Sequence, residues 1–131
     1  IIFTINPSIH PDSSSMASLT TASNKAYLVI INKANGLRAA DTLGSSDPYV
    51  KMTCPAAPAC IDETTQVIQS NLNPVWGQCY LVALPPTIPP VIKFTVFDSD
   101  KGTFYNGSDD FLGQTGLNLS DCISEDVNIW H

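Results

Sequence analysis

Acidic side chains are concentrated in one stretch of the sequence, from Phe97 to Gly113. Asp98 and Asp100 stand near its start, and Asp109 and Asp110 stand near its end. Carboxylates held this close together repel one another, so a folded chain tolerates them when solvent or a bound cation compensates their charge. Calcium is a hard cation that prefers oxygen ligands and suits such a group. The stretch therefore predicts a cation-binding loop.

The same acidic stretch allows two alternatives to this cation-binding loop. Acidic residues in a loop are often only solvated, and this alternative stays open for Asp98 and Asp100 taken alone. An EF-hand loop also has the twelve-residue length of the segment from Asp98 to Asp109. However, Thr103 occupies the sixth position, where that loop needs glycine, and a strand pattern rather than a helix pattern precedes it. An EF-hand is therefore excluded.

Length and composition limit the classes of protein to consider. The chain has 131 residues and a net charge of −6, which predicts one domain. Five carboxylates in two loops account for five of the six net negative charges, which argues against a nucleic-acid partner and for a cation; they are Asp41, Asp47, Asp98, Asp100 and Asp110. The longest apolar run, Ala26 to Ile31, is much shorter than the roughly 18 residues of a membrane-spanning helix, so the sequence predicts a soluble protein.

Catalytic motifs are not evident in the sequence. The two histidines, His10 and His131, lie near the chain ends, and there is no phosphate-binding loop, serine-nucleophile motif or zinc-protease motif. We therefore expect a protein that is not an enzyme.

Short apolar and β-branched runs separated by turn residues predict an all-β protein. The expected strands are Ala26–Ile31, Pro48–Thr53, Thr64–Ser70, Val75–Leu84, Ile92–Phe97, Phe111–Leu119 and Val127–Trp130. Seven or eight strands without an amphipathic helix are typical of an antiparallel β-sandwich. Such a fold gathers alternate loops at one end, so the loops at 38–47 and 98–110 are expected to converge.

The first 24 residues allow two interpretations. Residues 7–24 are rich in Ser, Thr and Pro, which predicts a flexible N-terminal extension. Ile1 to Asn6 is instead compatible with a first strand, because its residues are largely apolar and β-branched. The sandwich domain itself is expected to span residues 25–131.

The four cysteines lack paired zinc-site spacing, which argues against a zinc site. Cys54 and Cys60 flank a proline-containing turn and form either a disulfide or two thiols in a reducing compartment. A bridge would suit a secreted adhesion or carbohydrate-binding sandwich. Free thiols would suit the cytoplasm, which is the expected location.

Four motifs in order give the region from Lys25 to Asp121 a resemblance to a known family. They are Gly44-Ser45-Ser46-Asp47-Pro48-Tyr49-Val50-Lys51, Asn73-Pro74-Val75-Trp76, Val96-Phe97-Asp98-Ser99-Asp100 and Asp110-Phe111-Leu112-Gly113. This region resembles the C2 domain family, the calcium-dependent phospholipid-binding sandwiches of protein kinase C and synaptotagmin. The resemblance implies an eight-stranded Greek-key β-sandwich with its calcium-binding loops at one end.

The resemblance also implies roles for individual residues. Asp41 and Asp47 resemble the ligands of the first loop, Asp98 and Asp100 the bridging pair, and Asp110 the fifth ligand. The loop is longer than usual, so Asp109 is an alternative to Asp110. Two calcium ions would also need backbone carbonyls, expected from Ala40 and Ser99. Membrane contacts are expected from Leu43, Lys101, Phe104 and Tyr105.

The function implied is calcium-dependent binding to anionic, phosphatidylserine-like membranes by a monomer that is cytoplasmic and becomes peripheral to the membrane. Phosphoinositide targeting is not expected, because the segment Thr64–Ser70 carries no Lys or Arg. The alternative is a calcium-independent scaffold that binds a protein partner through the same fold.

Overall fold

The computed structural model describes residues 2–6, 24–40, 43–100, 108–121 and 126–128. These residues form eight strands and one short 3₁₀ helix, Leu119–Asp121. The strands are β1 (Ile2–Asn6), β2 (Lys25–Lys33), β3 (Pro48–Thr53), β4 (Asp62–Thr64), β5 (Val75–Leu84), β6 (Val91–Asp98), β7 (Asp110–Asn118) and β8 (Asp126–Asn128). The prediction of an all-β chain is confirmed.

The strands form two four-stranded antiparallel sheets. Sheet A has the order β5-β2-β1-β8, and sheet B has the order β4-β3-β6-β7. Neighbours such as β3 and β6 are distant in sequence because the chain crosses between the sheets several times. Crossings of this kind are those of a Greek-key sandwich, so the predicted fold class is confirmed. Residues 7–23 lie outside the described part of the chain, and the flexible extension stays a prediction.

Alternating burial along the strands forms the core between the sheets. In β2, Tyr27, Val29 and Ile31 are buried and the residues between them are partly exposed, as the two-residue period of a strand requires. Phe94 and Met52 are fully buried cross-strand partners in sheet B. Burying one such side chain contributes roughly 1.5–3 kcal/mol relative to exposure. The other strand residues of the core are Val50, Trp76, Val82, Leu84, Ile92 and Val96.

The strand expected at Thr64–Ser70 is wrong, because β4 ends at Thr64. The side chain of the next residue explains this ending. The Thr65 main-chain N–H donates to the Val50 carbonyl at 2.9 Å, but the Val50 N–H donates to Thr65 Oγ1 at 2.8 Å instead of to a carbonyl. A side-chain oxygen that replaces a backbone acceptor interrupts the regular strand ladder. The chain then continues along β3 without strand geometry, and the Ile68 N–H donates to the Pro48 carbonyl.

Two predictions about β5 are confirmed. The strand Val75–Leu84 has the bounds that the sequence predicted, and Trp76 is buried as a core residue with its indole N–H near the Pro48 carbonyl at 3.4 Å.

Cys54 and Cys60 are free cysteines, one buried and one exposed. The described part of the chain contains no helix long and apolar enough to span a membrane.

Strand pairing places three chain segments at one end of sheet B. Pro48, the first residue of β3, pairs with Asp98, the last residue of β6. Asp98 pairs in turn with Asp110, the first residue of β7. The acidic residues at these strand ends are therefore neighbours in space.

Candidate cation-binding site

Three carboxylates meet at this end of the sandwich. One ligand oxygen each from Asp98, Asp100 and Asp110 lies within 4.8 Å of the other two. An oxygen ligand lies about 2.3–2.6 Å from calcium, so two ligands on opposite sides of one ion are about 5 Å apart. The three oxygens therefore lie close enough to share one calcium ion, and the carboxylate donor set suits that cation.

Burial makes Asp98 the least solvated member of the cluster. Its side chain is 0% exposed, and Oδ2 is among the buried atoms. The Asp47 main-chain N–H donates to Asp98 Oδ1 at 2.6 Å. A buried carboxylate beside other carboxylates has an unfavourable electrostatic energy, which a cation bound at the cluster would offset.

Asp47 lies beside the cluster and connects three loops. Its Oδ1 accepts a hydrogen bond from the Ser70 N–H at 2.7 Å, and its carbonyl accepts one from the Ser99 N–H at 3.0 Å. Its own N–H binds Asp98, as described above. Asp47 is therefore adjacent to the three clustered carboxylates, although its side chain is not one of that group.

Asp109 is held by groups on both sides. Its Oδ1 accepts a hydrogen bond from the Asp100 N–H at 3.0 Å, and its Oδ2 accepts one from the Tyr49 hydroxyl. The Tyr49 ring also stacks on Phe97, with ring centroids 5.7 Å apart. These contacts fix the position of Asp109, while Asp110 is the neighbour that joins the cluster.

The contacts of Tyr49 perturb its ionisation. Burial raises the pKa of Tyr49 to about 12 from 10.0, and the hydrogen bond to Asp109 and the negative charge of Asp109 contribute to this raised pKa. Because the folded-state pKa is the higher one, the stabilisation from the neutral phenol is complete below pH 10. It is lost as the pH rises from about 10 toward about 12.

Replacing Asp109 with asparagine is expected to lower the pKa of Tyr49, because the charge on its partner disappears while burial remains. The ultraviolet absorbance of tyrosinate during an alkaline titration measures this change. Asp110→Asn is the matched control, since it removes a neighbouring charge that Tyr49 does not bind. Equal titration curves for the wild type and Asp109→Asn would contradict the Tyr49–Asp109 hydrogen bond.

The loop between β2 and β3, called the first loop below, reaches the same end of the molecule. Leu43 is 93% exposed and precedes Gly44, whose φ of +79° suits glycine in a sharp turn. Arg38, earlier in this loop, donates from Nη2 to the Phe111 carbonyl at 2.9 Å. This bond joins the first loop to β7 next to Asp110.

Comparison with known proteins identifies the fold family. A family model described as the C2 domain matches residues 26–131. The chain belongs to the C2 domain family. This finding confirms the resemblance that the four sequence motifs carried.

Individual relatives of this C2 domain are much longer proteins. The chain is 37% identical over 86 residues to the E3 ubiquitin-protein ligase NEDD4 of Rattus norvegicus, covering 64% of this chain and 9% of that protein. It is 35% identical over 96 residues to a probable ADP-ribosylation factor GTPase-activating protein, AGD13, of Arabidopsis thaliana, covering 73% of this chain and 26% of that protein.

Solved structures agree on the fold. The first C2 domain of RIM from Drosophila superimposes with a TM-score of 0.69 at 16% identity, covering 96% of this chain and 91% of that one. The first C2 domain of plant extended synaptotagmin 1 gives a TM-score of 0.61 at 25% identity, covering 78% of this chain and 72% of that one.

This C2 domain matches only a small part of each of these curated relatives. The chain spans 9% and 26% of the lengths of the two curated relatives named above. Family membership supports a module that binds membrane lipid or protein. A domain of this kind also occurs inside a protein named as an enzyme, the ubiquitin ligase.

The structure of this C2 domain brings some of the predicted site residues together, whereas others lie outside the described part of the chain. Asp98, Asp100 and Asp110 are brought together, Asp47 adjoins them, and Ser99 is buried next to them. Ala40 lies in the first loop, with its N–H bonded to Ser46 Oγ at 2.9 Å. The predicted residues outside the described part of the chain are Asp41, Lys101, Phe104 and Tyr105.

Three residues at the site were not among the predicted ones. Tyr49 binds Asp109, Arg38 binds the Phe111 carbonyl, and Ser46 binds the first loop. Tyr49 and Ser46 stand within the motif that carried the resemblance, yet their residue types alone do not indicate these contacts. The contacts of Tyr49 and Arg38 join segments that only the folded sandwich brings together. Ser46 instead binds Arg38 and Ala40 within its own loop.

Proposed function

We propose that this C2 domain binds anionic phospholipid membranes in a calcium-dependent manner. The observation that carries the proposal is the group of three carboxylates, Asp98, Asp100 and Asp110, whose oxygens lie within 4.8 Å of one another. The exposed Leu43 stands at the same end of the domain. An acidic cluster beside an exposed apolar side chain supports a surface that approaches a membrane once its charge is compensated.

The proposed ligands extend the clustered carboxylates. Asp98, Asp100 and Asp110 would hold two calcium ions, with Asp98 and Asp100 as ligands shared by both, and Asp41 and Asp47 would supply further carboxylates. The carbonyls of Ala40 and Ser99 add neutral oxygen ligands, and Asp109 is the alternative to Asp110. When bound, calcium supplies positive charge and open coordination positions that phosphate oxygens of lipid headgroups can fill.

The protein residues then act in two ways. Before binding, five carboxylates repel an anionic bilayer from this end of the domain. After their charge is compensated, Leu43, Phe104 and Tyr105 enter the interface, and Lys101 contacts the headgroups. In this proposal the domain is a monomer that moves from the cytoplasm to the membrane surface.

Co-sedimentation with phosphatidylserine-containing liposomes tests the proposal. The domain is expected to sediment with liposomes at free calcium of about 10⁻⁴ M and to remain in the supernatant with excess chelator. Binding to the same extent in both conditions would contradict calcium dependence. Binding in neither condition would favour the alternative of a protein-interaction scaffold.

Replacing Leu43 with serine is expected to weaken liposome binding about tenfold while leaving calcium affinity in solution nearly unchanged. The reason is that Leu43 adds apolar area to the membrane interface, where a buried side chain contributes roughly 1.5 kcal/mol or more. Sedimentation at increasing lipid concentration measures the effect, and calorimetric titration measures calcium affinity.

Leu81→Ser is the matched control for this experiment. Leu81 is 66% exposed but pairs with Leu28, away from the acidic end of the sandwich. An equal loss of lipid binding in the two variants would show that the first loop does not enter the membrane.

A further inference from the structure

Ser46 is a fully buried residue whose hydroxyl bridges two main-chain groups of the first loop. Its Oγ donates to the Arg38 carbonyl at 2.9 Å and accepts a hydrogen bond from the Ala40 N–H at 2.9 Å. Both hydrogen bonds are partly buried, so they favour one conformation of the segment from Arg38 to Ala40.

The same residue is joined to the acidic cluster through its neighbours. The Ser46 carbonyl accepts a hydrogen bond from the Asn71 N–H at 2.9 Å. The next residue, Asp47, donates its N–H to Asp98 Oδ1 at 2.6 Å. A continuous series of bonds therefore leads from the first loop through Ser46 and Asp47 to the buried carboxylate of the cluster.

We propose that Ser46 is a positioning residue for the cation site. Its hydroxyl holds the segment from Arg38 to Ala40 in one conformation, so that the Ala40 carbonyl, a proposed ligand, needs little reordering when a cation binds. This inference rests on the proposed calcium site, to which it adds a residue that binds no ion itself. Residues that orient ligands without touching the metal commonly change metal affinity by about 10–100-fold.

Ser46→Ala tests the proposal against a matched variant, Thr65→Val. Thr65 is also a buried hydroxyl that bridges two main-chain groups, the Val50 N–H and the Gln66 carbonyl, but these lie in β3 and in the segment after β4. Both variants lose two hydrogen bonds and both are expected to unfold at lower urea concentration. Calcium affinity, measured by calorimetric titration, is expected to fall about tenfold or more in Ser46→Ala. In Thr65→Val it should change by less than about twofold.

Amide hydrogen exchange in the calcium-free protein gives a second readout. The Ala40 amide, whose hydrogen bond Ser46 Oγ accepts, is expected to exchange at least about tenfold faster in Ser46→Ala than in the wild type. The amides of β6 should exchange at the same rate in the variant and in the wild type, once the difference in their free energies of unfolding is taken into account. If Ser46→Ala does not fold, Ser46→Cys serves instead, because its thiol is similar in size but a poor hydrogen-bonding group.

The outcomes separate this inference from the function on which it rests. Failure of the wild type to bind calcium would overturn both. Calcium binding by the wild type with unchanged affinity in Ser46→Ala would overturn the role of Ser46 alone. Equal losses of affinity in Ser46→Ala and Thr65→Val would also overturn it, since the effect would then follow stability and not position.

Discussion

Replacing Asp98 with asparagine is expected to lower calcium affinity at least about 100-fold. Loss of a residue that only orients a metal ligand already lowers metal affinity by about 10–100-fold, and Asp98 is proposed as a ligand itself. Asp98 is 0% exposed, pairs with Asp110 across β6 and β7, and lies in the cluster with Asp100. Asparagine keeps the size of the side chain and an Oδ1 that can still accept the Asp47 N–H. The charge is removed while the geometry of the strand ends is kept.

Calorimetric titration with calcium measures this effect, and calcium-dependent sedimentation with liposomes should be lost in parallel. Asp62→Asn is the matched control, because it removes the same charge from an exposed carboxylate of β4 whose contact is a 3.8 Å ion pair with Lys51. Without calcium, Asp98→Asn should be at least as stable as the wild type, because one of three crowded negative charges is gone. Unchanged calcium affinity in Asp98→Asn would show that calcium binds elsewhere than at this cluster.

The sequence predicted the sandwich well because its strands alternate and its turns are marked. The run Val75–Leu84 follows Asn71-Leu72-Asn73-Pro74, a turn whose proline cannot continue a ladder, and β5 has these same bounds. The acidic cluster follows for a related reason. Asp98 ends one strand and Asp110 begins the next, so antiparallel pairing brings them together although a long loop separates the strands.

Contacts between side chains that meet across the fold were beyond the sequence. Thr65 appears in a β-branched run typical of a strand, yet its hydroxyl replaces a backbone acceptor and ends β4. The hydrogen bond from Tyr49 to Asp109 joins residues 60 positions apart. No local pattern distinguishes Asp109 from Asp110, and the arrangement of this pair depends on the placement of β3 beside β6.

Replacing Phe94 with alanine is expected to reduce the free energy of unfolding by about 3–5 kcal/mol. Phe94 is 0% exposed in the centre of β6, where its cross-strand partners are Met52 and Thr115. Removing the ring loses its burial and leaves a cavity that a sandwich with strands fixed on both sides cannot close. A domain of this size has a total stability of about 5–15 kcal/mol, so much of it would be lost.

Urea unfolding followed by tryptophan fluorescence measures this loss, with a midpoint expected to fall by about 2 M. Phe111→Ala is the matched control, because it removes the same side chain from β7, where it is 51% exposed. Its main described contact is an edge-to-face arrangement with Phe97 at 6.4 Å between centroids, which contributes about 0.5–1.5 kcal/mol. Equal destabilisation by the two substitutions would mean that the core between the sheets is not centred on Phe94. A loss confined to Phe94→Ala would show that the stability of the domain depends on the core between the sheets and not on the exposed ring beside Asp110.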